Sequence, residues 1–471
     1  MSLRRLAGAA LMATALLGPM ASSAQGERGL TLGLTDPVFE DGDASVRADW
    51  LDRAVDSRAG LVLLEAGWRE IAPDPRPVLF NPADPGDLAY NWTALDDAVR
   101  DSAARGLTIV MLVNRAPDWA EGPDRPATAD AGTWRPDPTE LNAFAKALAS
   151  RYSGSYAPDP AFPGDPLPAV RLWQLWAEPN LSVHLTPQWN GRSAASPSQY
   201  RAMLNSFYAG IKSISSASRI VTAGTAPYGD GPGGPRMPPV RFWRELLCLK
   251  GAKLHPSPCA HPAHFDIFAH NPINQSQPRR GARSSDDATT PDLGRIKRVV
   301  AKALESGRAL PKRNKPMWAT EFWWPSNPPD PGARSSATQA RWLEEALYLL
   351  WRQGASVAVW FQIRDPAPIP DYRSTFQTGL FLRDGTPKLA YQAFRFPLVS
   401  ERTSKRLVRV WGKAPRPGSI SIQRAKHGVW HTLKRVNVGG SRVFLSSVKM
   451  RGSGSLRALS STESSLPWAQ H

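Results

Sequence analysis

Cysteine is scarce in this 471-residue chain, in which Cys248 and Cys259 are the two present. Three histidines lie nearby, but the spacing of these residues matches no standard zinc pattern, which argues against a metal site. In an exported protein, two cysteines this close in sequence usually pair. We therefore predict a Cys248–Cys259 disulfide and no bound metal.

Long apolar runs are also missing, because no stretch after the N-terminal region reaches the roughly 18 apolar residues of a membrane-spanning helix. At the start of the chain, Arg4 and Arg5 precede an apolar segment, 6–17, and small residues follow at 21–24. This order is typical of a secretory signal peptide, and we predict cleavage after Ala24. The mature protein is expected to be soluble, not membrane-spanning, and secreted, periplasmic or held at the cell surface.

Acidic residues are rare in the C-terminal segment 401–471, where Glu401 and Glu463 stand against 14 lysines and arginines. This segment contributes much of the formal net charge of +17. A basic segment of this kind either contacts an acidic polysaccharide, a cell wall or an anionic membrane surface, or is a solvated face without a partner. Nucleic acid is the other common partner, but the export signal argues against it.

Glycine-rich phosphate turns do not follow any predicted strand, which disfavours a doubly wound nucleotide-binding sheet. Instead, eight short apolar runs alternate with helical patterns, as expected for parallel strands that are buried on both faces. Eight such repeats predict an α/β fold of the (β/α)8 barrel type with enlarged loops. The predicted strands are 30–34, 61–65, 108–113, 170–176, 220–224, 265–270, 316–320 and 356–361.

After Pro397 the apolar pattern changes to period two, with turns rich in proline and glycine. This pattern predicts a small antiparallel β-sandwich. We therefore expect three parts, which are a signal peptide at 1–24, a (β/α)8 barrel domain at 25–398 and a basic accessory sandwich at 399–471.

Two glutamates each end one of the apolar runs, Glu178 after the fourth strand and Glu321 after the seventh. Barrel enzymes carry out their chemistry at the C-terminal tips of the strands. The tips of strands four and seven face each other across the mouth of a closed barrel, so the two carboxylates can meet. Surrounded by tryptophan, such a pair suggests cleavage of a bond between two sugars. Their mutual charge and partial burial would raise the pKa of one of them.

The sequence around these glutamates resembles the clan A glycoside hydrolases, most closely family 39 and its relatives in family 5. The segments 175–180 and 318–322 are similar to the acid/base and nucleophile segments of the family. Further similar segments are 67–73, 265–270, 357–361 and 388–394. The resemblance implies a retaining hydrolase of a β-linked polysaccharide or oligosaccharide, with Glu178 as acid/base, Glu321 as nucleophile and no cofactor.

The resemblance also implies residues that contact the sugar. It places His270 near the nucleophile and Trp360 at the floor of the sugar site, although both are also reasonable core residues. Trp68 and Trp323 either line sugar subsites or pack beneath loops. Asn180 either binds sugar or orders its own loop.

Three positions depart from the family pattern. Ala177 stands where an asparagine usually contacts the sugar 2-hydroxyl, and Leu63 stands where an arginine usually supports the nucleophile. The tyrosine often found after the strand-six histidine is missing, because Asn271 follows His270. Loss of one donor to the transition state lowers a rate by about 10²–10³-fold. A catalytically impaired barrel that binds carbohydrate, or a wall-associated binding protein, therefore stays open as an alternative.

Overall fold

The computed structural model describes residues 28–470 except 160, 162, 163, 373 and 462, so the predicted signal peptide lies outside the described residues. The first part of the chain contains eight parallel strands. They are β1 Thr31–Thr35, β2 Leu61–Gly67, β3 Thr108–Asn114, β4 Leu172–Leu175, β5 Arg219–Val221, β6 Phe268–His270, β7 Met317–Phe322 and β8 Ala355–Phe361.

These strands form one sheet in the order β6-β7-β8-β1-β2-β3-β4-β5. Parallel bridges between Val221 and Ile267 and between Thr225 and His270 connect β5 to β6 and close the sheet. The predicted (β/α)8 barrel is therefore confirmed. The predicted strands overlap the observed ones at all eight positions.

Side chains on the barrel strands alternate between the barrel interior and the side that faces the helices. On β2, Leu61 and Leu63 belong to a small core inside the barrel, whereas Val62 and Leu64 belong to the larger core beneath the helices. The inner core also contains Val110, Leu112, Val221, Ile267, Ala269, Trp318, Val357 and Val359. An apolar plug therefore fills the barrel below its C-terminal mouth.

The helices surround this sheet and bury their apolar sides against it. They are α1 Ala44–Asp56, α2 Trp68–Ile71, α3 Thr93–Ala104, α4 Pro138–Arg151, α5 Ser196–Ile214, α6 Pro239–Leu246, α7 Leu293–Glu305, α8 Ser336–Gln353 and α9 Leu389–Arg395. Asp137 caps α4 by accepting hydrogen bonds from the backbone N–H groups of Thr139 and Glu140. No helix among the described residues is long and apolar enough to cross a membrane.

The C-terminal part is a sandwich of two antiparallel sheets, as predicted. Its strands are β9 Leu398–Ser404, β10 Leu407–Lys413, β11 Gly418–Lys426, β12 Val429–Val438, β13 Val443–Lys449, β14 Gly454–Leu459 and β15 Trp468–Gln470. One sheet has the order β9-β10-β13 and the other the order β12-β11-β14-β15. The sequence pattern did not reveal β9, β14 and β15.

The sandwich contacts the barrel through aromatic rings and ion pairs. Trp411 lies 5.5 Å from Tyr348 and 5.9 Å from Trp351, measured between ring centroids. Glu401 binds Arg279 of the barrel at 2.7 Å. Glu463 is the other acidic residue of the sandwich. It binds two further arginines of the first part of the chain, Arg58 at 3.2 Å and Arg395 at 2.5 Å. Both carboxylates of this basic domain therefore face the barrel.

The predicted disulfide between Cys248 and Cys259 is present and closes a loop after α6. We expect the double substitution Cys248→Ser/Cys259→Ser to lower the free energy of unfolding by about 3 kcal/mol, because the unfolded chain then loses a cross-link. Urea unfolding in the presence and absence of a thiol reductant measures this difference. The reductant should destabilise the unsubstituted protein and leave the double variant unchanged, and an equal effect on both would contradict the prediction.

Candidate active site

Polar side chains occupy the inward positions at the C-terminal ends of the strands, directly above the apolar plug. Glu65 follows the inward Leu61 and Leu63 on β2, and Asn114 follows Val110 and Leu112 on β3. Together with residues of the neighbouring strands, they line a cavity of about 400 Å³. Its further polar and charged lining residues are Thr35, Arg115, Gln174, Glu178, His184, Asn271, Thr320 and Glu321. The two glutamates that were singled out from the sequence therefore share one cavity at the barrel mouth.

A tight turn after β4 directs Glu178 into this cavity. Trp176 has φ 70° and Glu178 has φ 33°, so two non-glycine residues adopt the left-handed region. The backbone N–H of Trp176 donates to the carbonyl of Val113, and that of Glu178 donates to the carbonyl of Gly224. A sparsely populated conformation of this kind costs of the order of 1–3 kcal/mol per residue and is common at functional sites.

An irregularity in β7 brings Glu321 to the same cavity. The pairing of β7 with β8 loses its register between Ala319 and Phe322. Thr320 and Glu321 are adjacent, yet both line the cavity, which a regular strand does not allow. The indole N–H of Trp323 donates to Glu321 Oε1 at 2.9 Å, and Trp323 itself lines the cavity.

Asn271 joins the two carboxylates. Its Nδ2 atom donates to Glu178 Oε1 at 3.0 Å and to Glu321 Oε2 at 3.2 Å. Its Oδ1 atom accepts a hydrogen bond from Thr320 Oγ1 at 2.9 Å, which fixes the orientation of the amide. The two bridged oxygens therefore lie at most 6.2 Å apart, since one nitrogen atom is 3.0 Å from the first and 3.2 Å from the second, and this limit is below the roughly 6.5–9.5 Å of inverting carboxyl pairs. A side chain at Gly224 would collide with this arrangement, because a Cβ there would lie 1.9 Å from Asn271 Oδ1.

Burial raises the pKa values of both glutamates, and the charge of Glu321 raises that of Glu178 further. For Glu178 the pKa is raised first by burial and then by the charge of Glu321, and the Asn271 hydrogen bond opposes both. For Glu321 the pKa is raised by burial, and the hydrogen bond from Trp323 lowers it. Two carboxyls this close share one proton near neutral pH. The environment therefore favours a protonated Glu178 beside an ionised Glu321.

This division predicts a bell-shaped pH dependence of kcat/KM for any reaction in which one carboxylate attacks and the other carboxyl donates a proton. Activity should fall as the pH drops and Glu321 takes up a proton, and again as the pH rises and Glu178 loses its proton. Because both pKa values are raised, both limbs should lie at higher pH than is usual for a carboxyl pair. In the variant Glu178→Gln, assayed through its residual activity on the same substrate as the parent protein, the alkaline limb should disappear. An alkaline limb that persists in this variant would assign it to another group.

Four of the five residues predicted to contact sugar do not line the cavity. His270 is fully buried, with Nδ1 2.8 Å from Thr225 Oγ1 and Nε2 2.8 Å from the carbonyl of Ala288. Trp360 is also fully buried, and its N–H donates to the carbonyl of Thr378. The reason is strand alternation, since each residue points toward the helices while the next residue points inward. Asn271 and Phe361 occupy the cavity positions in their place.

Trp68 and Asn180 are buried away from the cavity as well. Trp68 stacks on Phe144 with ring centroids 5.4 Å apart, beneath the loops. Asn180 donates to the carbonyls of Ala226 and Met237 and accepts from the N–H of Ala226, so it orders its loop. Of the five predicted contacts, Trp323 is the one that lines the cavity.

Two amides in the cavity have oxygen atoms without a partner. Asn114 Oδ1 and Gln174 Oε1 are buried and accept no hydrogen bond among the described residues. Aromatic side chains cover another part of the lining, with Trp323 and Phe376 4.7 Å apart between ring centroids. Acceptors for hydroxyl groups beside an aromatic surface suit a sugar ring. Within the described ranges, no cluster of three or more histidine, cysteine, aspartate or glutamate side chains is arranged to hold a metal ion.

Beyond the short segments described above, similarity to known proteins is visible in the fold. No protein-family model and no curated protein matches this chain. Among solved structures, a family 39 glycoside hydrolase from Bacteroides cellulosilyticus WH2 superimposes with a TM-score of 0.53 and 15% identity, over 90% of this chain and 81% of that one. A glucosidase from Croceicoccus marinus gives a TM-score of 0.51 and 15% identity, over 88% and 81% of the two chains. The chain therefore shares its fold with these two glycosidases along most of its length.

Proposed function

We propose that this protein is a retaining glycoside hydrolase that cleaves a β-linked polysaccharide or oligosaccharide. The observation that carries the proposal is the Asn271 amide, which bridges Glu178 and Glu321 in the cavity at the barrel mouth. The shared fold with two glycosidases supports it. We further propose export of the protein, supported by the signal-like first residues and by the disulfide.

The separation of the carboxylates favours retention of the anomeric configuration. Inverting enzymes keep their carboxyls about 6.5–9.5 Å apart to admit a water molecule, whereas retaining enzymes keep them about 5–5.5 Å apart. Here one nitrogen atom lies 3.0 Å from Glu178 Oε1 and 3.2 Å from Glu321 Oε2, so these oxygens are at most 6.2 Å apart, below the inverting range. Direct attack by one carboxylate is therefore the mechanism that fits.

In the first step, Glu321 attacks the anomeric carbon as Glu178 gives its proton to the departing oxygen. The bond between sugar and leaving group breaks, and a covalent ester forms between sugar and Glu321. In the second step, Glu178 takes a proton from water, the water oxygen attacks the anomeric carbon, and the ester bond breaks. The hydrolysed sugar leaves, and both glutamates regain their starting protonation states.

Ala177 and Leu63 support the alternative of a barrel that binds carbohydrate without cleaving it. Both line the cavity and neither can donate a hydrogen bond through its side chain. Asn271 does not replace the missing donors, because its amide nitrogen already donates to both carboxylates. The unpartnered oxygens of Asn114 and Gln174 offer acceptors for sugar hydroxyl groups under either reading.

Hydrolysis of a panel of β-linked polysaccharides and aryl glycosides tests the proposal. Proton NMR of the first-formed product should reveal the same anomeric configuration as the substrate. Inverted product would exclude the double displacement, and tight binding without any hydrolysis on the panel would favour the binding-only alternative.

A further inference from the structure

The outer face of the four-stranded sheet in the sandwich carries an aromatic and basic patch. Strand pairing fixes which residues share this face, because directly paired residues lie on the same side of a sheet. Gln423 of β11 pairs with Thr432 of β12 and with Arg457 of β14. Ala425 pairs with Trp430 and lies two residues from Gln423. Gln423, Trp430, Thr432 and Arg457, here called the sheet patch, therefore lie together on the side opposite the sandwich core.

Contacts within the sheet patch hold its arginine in place. The Arg457 guanidinium lies over the Trp430 ring, 4.3 Å from its centroid. Arg457 Nε donates to Gln423 Oε1 at 2.8 Å, and Gln423 Nε2 donates to Thr432 Oγ1 at 3.4 Å. The two terminal nitrogens of Arg457 make no hydrogen bond to the described residues. A stacked guanidinium with free N–H groups is preorganised to bind a carboxylate through two hydrogen bonds.

No carboxylate among the described residues of the domain neutralises the sheet patch. Glu401 and Glu463 are both engaged with arginines of the first part of the chain. Arg457, and the neighbouring Arg435 on β12, have no ion-pair partner in the ranges that the structure describes. The patch is partly exposed, and the residues around it are small and polar, with Ser421 and Ser455 on the same face. An anionic chain can therefore reach the exposed part of the patch, which consists of Thr432 and the half-buried Trp430 and Arg457.

We propose that the sheet patch binds a polysaccharide that carries carboxylate groups, at a site separate from the catalytic cavity. Arg457 receives the carboxylate of a uronate unit, and the stacked surface of Trp430 and Arg457 supports the adjoining sugar ring. Thr432 and the serines of the face contact hydroxyl groups. The surrounding basic side chains favour an anionic chain over a neutral one. This inference does not depend on the proposed hydrolase activity.

Binding of polygalacturonate to the full chain tests this proposal, with Glu321→Gln as the background so that no glycosidic bond is cleaved. Titration calorimetry should detect binding to polygalacturonate and none to a neutral β-glucan. Arg457→Gln and Trp430→Ala should each weaken binding about tenfold or more, because each removes part of the built site. Lys405→Gln removes the same charge from an exposed turn of the other sheet and should change affinity by less than about twofold.

Three outcomes would overturn the proposal. If Lys405→Gln and Arg457→Gln lower the affinity for polygalacturonate equally, binding is diffuse charge attraction. If the neutral glucan binds with equal affinity, the carboxylate has no role. Equal affinity for duplex DNA would point to a general polyanion surface. Thermal unfolding midpoints that match the parent protein establish that the variants are folded, and Arg457→Lys, which keeps the charge but not the planar fork, should recover affinity only in part.

Discussion

Replacement of Glu321 by glutamine is expected to lower kcat/KM on any hydrolysed glycoside by at least about 10⁴-fold, because the amide cannot form the covalent ester. The introduced side chain matches the glutamate in size, so the hydrogen bond from Trp323 keeps an acceptor and the cavity keeps its shape. A mechanism-based cyclophellitol-type reagent should label the parent protein once and leave the variant unlabelled. Intact-protein mass spectrometry measures this labelling.

The matched control is Glu305→Gln, which removes a carboxylate from an exposed position at the end of α7, where Glu305 pairs with Lys302. This change should leave hydrolysis and labelling unaffected. If Glu321→Gln retains more than about a hundredth of the parent activity, the nucleophile is another group. Peptide mapping of the labelled parent protein would then identify that group directly.

Replacement of Glu178 by glutamine should lower kcat/KM most for substrates whose leaving groups need a proton in order to depart. For an oligosaccharide, kcat/KM should fall by about 10²–10⁴-fold, the usual contribution of a general acid. For a dinitrophenyl glycoside, whose leaving group departs without protonation, kcat/KM should fall by less than about tenfold. Steady-state kinetics on the two substrates measures the difference.

Azide separates this role from a structural one. It is a nucleophile that needs no general base, so it should restore the second step of Glu178→Gln and yield a glycosyl azide with the configuration of the substrate. Equal losses on both substrates, with no rescue by azide, would show that Glu178 maintains the cavity and does not transfer a proton.

The barrel was predictable because its strands are continuous apolar runs, and Glu178 and Glu321 were predictable because each follows such a run. The sugar contacts were less so. The resemblance predicted that His270 and Trp360 contact the sugar. The alternation of β6 and β8 instead directs the next residue of each strand, Asn271 or Phe361, into the cavity. Ile267 and Ala269 point into the barrel, so counting two residues further along the strand would have predicted that Asn271 points into it as well.

Other features had no clear signal in the sequence. The bulge in β7 depends on pairing with β8, and the turn that gives Glu178 a positive φ depends on contacts with Val113 and Gly224. The buried side of helix α1 is short and includes a charged residue, Arg47, which bonds to Asp101 of α3. These features arise from long-range contacts, which a single sequence does not display.

Alternation along β6 and β8 has a consequence for how this protein can change. His270 and Trp360 anchor the outer layer, whereas Asn271 and Phe361, one position further on, border the cavity. Substitutions at the second pair can alter which glycan fits while the first pair keeps the helices attached to the sheet. Mutations at adjacent positions can therefore change substrate choice and thermal stability separately.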